Sequence, residues 1–195
     1  MIAMRRTRPN GLRRCVEQEI LDQLRLGTHH SSKSVSAVFL EARHLAAKAL
    51  SENADNAMVV AALLCKPCHM IASGNFDCLE WTSESLISTG TLDWLEDHFG
   101  VEIAESIRLI PHSRRYLASV LPRYFDRLSR DCQQAVLLDG GCMTAVDRQL
   151  FSKARYQKNA FLLSRWLDEG IDKWLDLPDI EFFFPFVRVA LQADI

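Results

Sequence analysis

The sequence has no apolar run approaching the roughly 18 residues that a membrane-spanning helix needs; its apolar stretch Met58–Cys65 is only core-sized. Few segments alternate with period two and β-branched clusters are scarce, which argues against a sheet. Eight Gly and six Pro in 195 residues exclude collagen-like or linker-like character. Neither sign of charge dominates: 23 Lys and Arg face 25 Asp and Glu, a formal net charge of −2. That balance gives no global field to attract nucleic acid or an acidic membrane, so neither is expected as a partner. Internal repeats and low-complexity segments are absent. The opening MIAMRRTRPNGLRR is basic but lacks the apolar segment of a secretory signal, so a cytoplasmic protein is expected. The six cysteines, 15, 65, 68, 78, 132 and 142, are then read as reduced thiols.

What is present is the composition of a folded globule, 48% hydrophobic and 25% charged. The chain divides into a basic N-terminal arm and first helix over 1–34, a helical domain over 35–170, and a Phe-rich C-terminal segment over 171–195 that packs on the same domain. The arm reads as a solvated tail rather than a contact for an acidic partner. Helices are expected at 12–24, 34–50, 57–64, 85–99, 101–109, 112–119, 130–138, 144–154 and 157–169. Val38, Phe39, Ala42, Leu45, Ala46 and Ala49 follow a 3.6-residue period, whereas 57–64 is apolar all round, as for a helix in the middle of a bundle. Pro67 should break or kink the chain, and 70–84 reads as a loop. Gly100 should stop a helix, and Pro122 suits the first turn of a short one over 123–128. The fold class is all-α, a compact helical bundle.

Three stretches together resemble one family. The first is Val59-Val60-Ala61-Ala62-Leu63-Leu64-Cys65-Lys66-Pro67-Cys68-His69. It is similar to the segment of HD-domain proteins in which an apolar helix delivers a His-Asp pair, usually followed by Ile-Gly-His. The second, Arg108-Leu109-Ile110-Pro111-His112-Ser113-Arg114-Arg115-Tyr116-Leu117, resembles the Leu-His-x-x-Ala-Lys-Arg-Tyr-Leu stretch of the phosphonate-degrading HD-domain oxygenases. The third is Asp139-Gly140-Gly141-Cys142-Met143 with Ser164-Arg165-Trp166-Leu167-Asp168. It is similar to that subfamily's Gln-Gly-Gly-Pro-Met and Arg-Arg-Trp-Asp-Asp. The resemblance spans roughly residues 35–170 and implies an HD-domain-like all-α bundle.

The resemblance also implies metal. HD-domain proteins hold one or two ions with His and Asp side chains, and in the oxygenase subfamily two irons activate dioxygen. Those ligand positions fall here on Glu41, Cys65, Lys66, Leu86, Ile110 and Leu167, with Asp168 one residue beyond. Glu41 and a Cys65 thiolate can bind a metal; Ile110, Leu86 and Leu167 cannot. An ammonium at Lys66 repels a cation, by several kcal/mol within about 4 Å at intermediate dielectric. The expectation is therefore a catalytically degenerate member with no cofactor, iron or another divalent metal being the alternative.

A pocket without its ions must be refilled or its charges paired. Leu86, Ile110 and Leu167 would make one wall apolar, and a Glu41–Lys66 ion pair would replace the metal–ligand charge balance. The contrary reading leaves Lys66 solvated at a helix end. Arg114 stands where the subfamily's Lys resembles an anion-binding residue for the phosphonate, and an Arg can grip such a group through two parallel hydrogen bonds. Lys66, His69, Arg114 and Arg165 are the candidate pocket residues; structural salt bridges are the competing account of the arginines.

Cys65-x-x-Cys68-His69 also spells a c-type haem attachment signal. It coincides with the His-Asp-Ile-Gly-His slot, and drift from that slot is the simpler account. A zinc site of Cys65, Cys68 and His69, a redox dithiol and two plain buried thiols stay open as readings. In function, the chain reads as a binding, scaffold or regulatory protein for a small anionic ligand or a protein partner, leaning away from an enzyme. The alternative is an active HD-superfamily oxygenase or phosphohydrolase on a phosphonate or phosphate ester, with an altered metal site.

Overall fold

A computed structural model describes residues 10–76, 87–171 and 175–192. Among them there are helices and no strands, so the all-α expectation holds. Eleven helices follow in order: α1 (Asn10–Thr28), α2 (Lys33–Ser51), α3 (Asn56–Leu64), α4 (Cys68–Ser73), α5 (Thr89–Arg108), α6 (Ile110–Val120), α7 (Tyr124–Arg127), α8 (Arg130–Leu138), α9 (Ala145–Phe151), α10 (Gln157–Glu169) and α11 (Phe184–Gln192). A 3-10 turn, Ile180–Phe183, leads into the last.

The centre is α3. Its residues Met58 to Leu64 are all buried, and it packs against α2, α5, α10 and α11. A helix with no polar face can be stable in water only if its neighbours cover every side. Asp55 starts it, its carboxylate accepting the Met58 N–H at 2.9 Å and satisfying one of the donors a helix start leaves open. The short connection from α2 makes α2 and α3 antiparallel neighbours, so the end of α3 returns towards the middle of α2. Phe39, Leu45, Ala46 and Ala49 of α2 meet it in one core with Leu95, Ile103 and Ile107 of α5.

Two glycines allow close packing. A Cβ at Gly27 would lie 2.2 Å from the Phe39 ring, so α1 approaches α2 there without one. Gly100 (φ 80°, ψ 169°) is non-helical inside α5, a conformation that glycine adopts without steric cost. The expected stop is thus a sharp kink between two helical halves.

Two local expectations change, and the C-terminal segment adds a detail. The segment over 70–84 is helical in its first part, because α4 runs from Cys68 to Ser73, and 77–84 lie outside the described residues. Pro67 precedes the helix, where its missing N–H costs nothing; Met70 and Ile71 bury its inner side, and left-handed Gly74 ends it. Pro122 does not enter α7. It sits in a turn closed by the Tyr124 N–H and the Leu121 carbonyl at 3.2 Å, with Arg123 at φ 61°, the geometry of a type II turn with Pro at its second position. The Phe-rich tail, lastly, splits between core and surface: Phe183 and Phe184 are buried in the main core and Phe182 is half exposed.

Candidate functional site

The site is built where the end of α3 meets α2 and α10, with α6 packed on the other side of α10. Lys66 follows α3 directly, and its Nζ donates to Glu41 Oε2 on α2. The two side chains are 25% and 38% exposed, so this is a pair at a rim and not a sealed one. Lys66 therefore has not swung away from the carboxylate. Cys65, one residue earlier, is buried, and its thiol bonds to the Ala62 carbonyl at 3.3 Å. Burial pushes the Cys65 thiol up to about 12; the charges of Lys66 and Arg114 pull it back and that of Glu41 adds to the rise. α10 packs against both α3 and α6, and so brings the α2–α3 pair and α6 together.

The second half of the site joins α6 and α10. These helices lie side by side in the same sense: the Ser164 hydroxyl donates to the Ile110 carbonyl at 3.4 Å, and four residues further on in each chain segment Arg114 meets Asp168. Asp168 Oδ1 accepts from Arg114 Nε at 3.0 Å and pairs with Nη2 at 2.8 Å. Asp168 Oδ2 accepts from the Tyr124 hydroxyl. Only 7% of the Arg114 side chain and 12% of that of Asp168 are exposed. Burial, followed by the hydrogen bond to Asp168, pushes the Tyr124 phenol above its ordinary value. Tyr124 and the role of Asp168 were not legible in the sequence, because no motif marks a contact between residues so far apart.

The other sequence candidates separate. Ile110 lies in the main core, with Leu167 packed against it, and Leu86 lies outside the described residues. His69 is half-buried on α4, and burial holds its imidazole below the ordinary value. Arg165 is not brought to the cluster: its side chain is 47% exposed and pairs with Glu52 and Glu169. Arg115 binds the Gly141 carbonyl at 2.9 Å, which ties the 139–141 turn to α6. Cys68 is buried and its thiol, too, is pushed up to about 12 by burial. Neither it nor Cys65 is a ready thiolate at neutral pH, which counts against a redox dithiol.

These contacts test the iron pair that the resemblance implies. Glu41 is held by Lys66, Asp168 by Arg114 and Tyr124, and Ile110 and Leu167 offer no donor atoms. Among the described residues no group of three or more His, Cys, Asp or Glu side chains could hold a metal ion. The described residues, as arranged, do not by themselves supply the ligands of two irons.

No family model matches the chain. It is 31% identical over 158 residues to hydroxymethylphosphonate dioxygenase of Gimesia maris, across 78% of this chain and 75% of that one. It is 29% identical over 132 residues to [1-hydroxy-2-(trimethylamino)ethyl]phosphonate dioxygenase (glycine-betaine-forming) of Leisingera caerulea, across 67% of each. Both relatives are named enzymes, and both are named dioxygenases. That overturns the expectation of no cofactor, because HD-domain dioxygenases use iron. With this identity over three quarters of both chains, the protein belongs to the family of the HD-domain phosphonate oxygenases.

Proposed function

We propose that this chain recognises a small phosphonate, or a phosphate ester of similar size, as an oxygenase-type member of the HD superfamily with a changed ligand set. The observation that carries the reading is the enclosed guanidinium of Arg114, held in place by Asp168 and Tyr124, with the Lys66 ammonium as a second cation just past the end of α3. A phosphonate presents three oxygens and up to two negative charges. A guanidinium answers that shape with parallel N–H donors, while an ammonium supplies a point charge. Asp168 and Tyr124 fix the Arg114 side chain before any ligand arrives, which lowers the ordering cost of binding. The names of the relatives support the substrate class and favour oxidation as the reaction.

A second reading, a binding or regulatory protein that does not turn its ligand over, is favoured by one specific observation. Each of the two cations already has a carboxylate partner at or beside a position that the resemblance marks for a metal ligand.

Calorimetric titration with hydroxymethylphosphonate tests the shared part. Binding is expected to saturate, and Arg114→Gln is expected to weaken it by about tenfold or more, the loss of one charge-assisted contact. No heat and no thermal shift at millimolar phosphonate would remove both readings. Oxygen uptake after the same phosphonate is added to protein incubated with ferrous iron separates them. Uptake identifies the oxygenase, and binding without uptake the regulatory protein.

A further inference from the structure

We propose that Lys66 and Arg114 are tethered cations that occupy Glu41 and Asp168, so that a divalent ion reaches either carboxylate only by displacing a side chain of the protein's own. Glu41 falls on a position that the resemblance marks for a metal ligand, and Asp168 lies one residue beyond another. In the structure each carries a basic group in direct contact, Nζ of Lys66 on one and Nε with Nη2 of Arg114 on the other. The two pairs are linked through α10, which packs against both α3 and α6. Each carboxylate is thus met by one basic side chain without any ion. A dication placed on either carboxylate would face an ammonium or a guanidinium a few ångströms away.

The two tethers differ in strength. Lys66 is the looser: its side chain is 25% exposed and that of Glu41 is 38% exposed, so Lys66 can turn out into water at little desolvation cost. Arg114 is the tighter, enclosed and held through two nitrogens, with Tyr124 bound to the second carboxylate oxygen. Glu41 is therefore the carboxylate from which the tether is easily displaced, and Asp168 the one locked against exchange.

The proposal rests on the family placement of Glu41 and Asp168 and is independent of phosphonate recognition, so the test contains no phosphonate. Manganese(II) binding is measured on the full chain by titration calorimetry and by metal retained after gel filtration. The set comprises the natural protein, Lys66→Gln, Glu41→Gln and the double variant Lys66→Gln/Glu41→Gln. Removing one positive charge from beside a dication at a water-exposed rim is expected to tighten binding by about tenfold. The gain should vanish in the double variant. Lys66→Gln with unchanged affinity, or a gain that survives loss of Glu41, overturns the proposal. So does a natural protein that already binds manganese through Glu41 as tightly as the Lys66 variant. Circular dichroism checks that each variant is folded. Lys66 sits at the rim, so its removal leaves the core intact and the test does not depend on an Arg114 variant folding.

Discussion

Arg114 of α6 and Asp168 of α10 meet with only 7% and 12% of their side chains exposed, joined through two nitrogens of one guanidinium. A buried charge that loses its partner keeps its desolvation cost and loses the attraction that offset it. Asp168→Ala is therefore expected to destabilise the protein by about 3–5 kcal/mol, read from the urea midpoint. Arg114→Met combined with Asp168→Leu should recover most of that loss, because it removes both charges and fills the space with carbon. A double variant as unstable as the single one would show that the pair's specific geometry, and not charge balance, holds α6 to α10.

The Glu41–Lys66 pair should behave differently although it is also an ion pair. More than a third of the Glu41 side chain is exposed, and water screens such a pair. Lys66→Met is expected to shift stability by no more than about 1 kcal/mol, and the effect should shrink further in high salt. Thermal melts at low and high ionic strength check this. A large, salt-independent loss would mean that Lys66 acts as a buried core charge.

The contrast between these pairs shows which parts of the site the sequence made legible. Opposite charges at two adjacent motif positions were enough to bring Glu41 and Lys66 together on paper. The Arg114–Asp168 contact joins residues 54 positions apart and depends on helix register. One residue along a helix turns the side chain by about 100°. That rotation separates Leu167, packed against the main core, from Asp168, bound to Arg114. A motif alignment uncertain by one position therefore could not choose between them. Helical periodicity was more robust: α8 and α10 begin and end where their apolar patterns do. It failed at α4, where the proline that ends one helix also precedes the next.

His69 and His112 give the protein an acid-side sensitivity. Burial lowers the pKa of both imidazoles, and at His112 the charges of Arg108 and Arg115 add to the effect. In the unfolded chain both return to about 6.5. As pH falls below that value, the unfolded chain takes up protons that the folded one does not, so stability declines until the folded pKa is passed. The urea midpoint should fall between pH 7.5 and pH 5.5, roughly the ordinary range in which a histidine titrates. His112→Gln should flatten part of the decline. A variant with the same slope as the natural protein would remove His112 from the account.

Thiol chemistry should divide the cysteines by environment. Cys65 and Cys68 are buried, with pKa values pushed up to about 12, whereas Cys15 and Cys142 are exposed. The thiolate is the attacking species. Iodoacetamide at pH 8 should therefore label Cys15 and Cys142 while Cys65 and Cys68 stay unmodified until the protein is unfolded, as peptide mass spectrometry would read. The same shifts act on stability at alkaline pH. The unfolded thiols ionise near 9.0, and the folded ones near 12, so between those values the unfolded chain loses protons that the folded chain keeps. Stability should fall as pH rises through that window, and Cys65→Ser should reduce the slope. Rapid labelling of Cys65 in the folded protein would instead mark it as a thiolate held by Lys66 and Arg114, and would reopen it as a ligand.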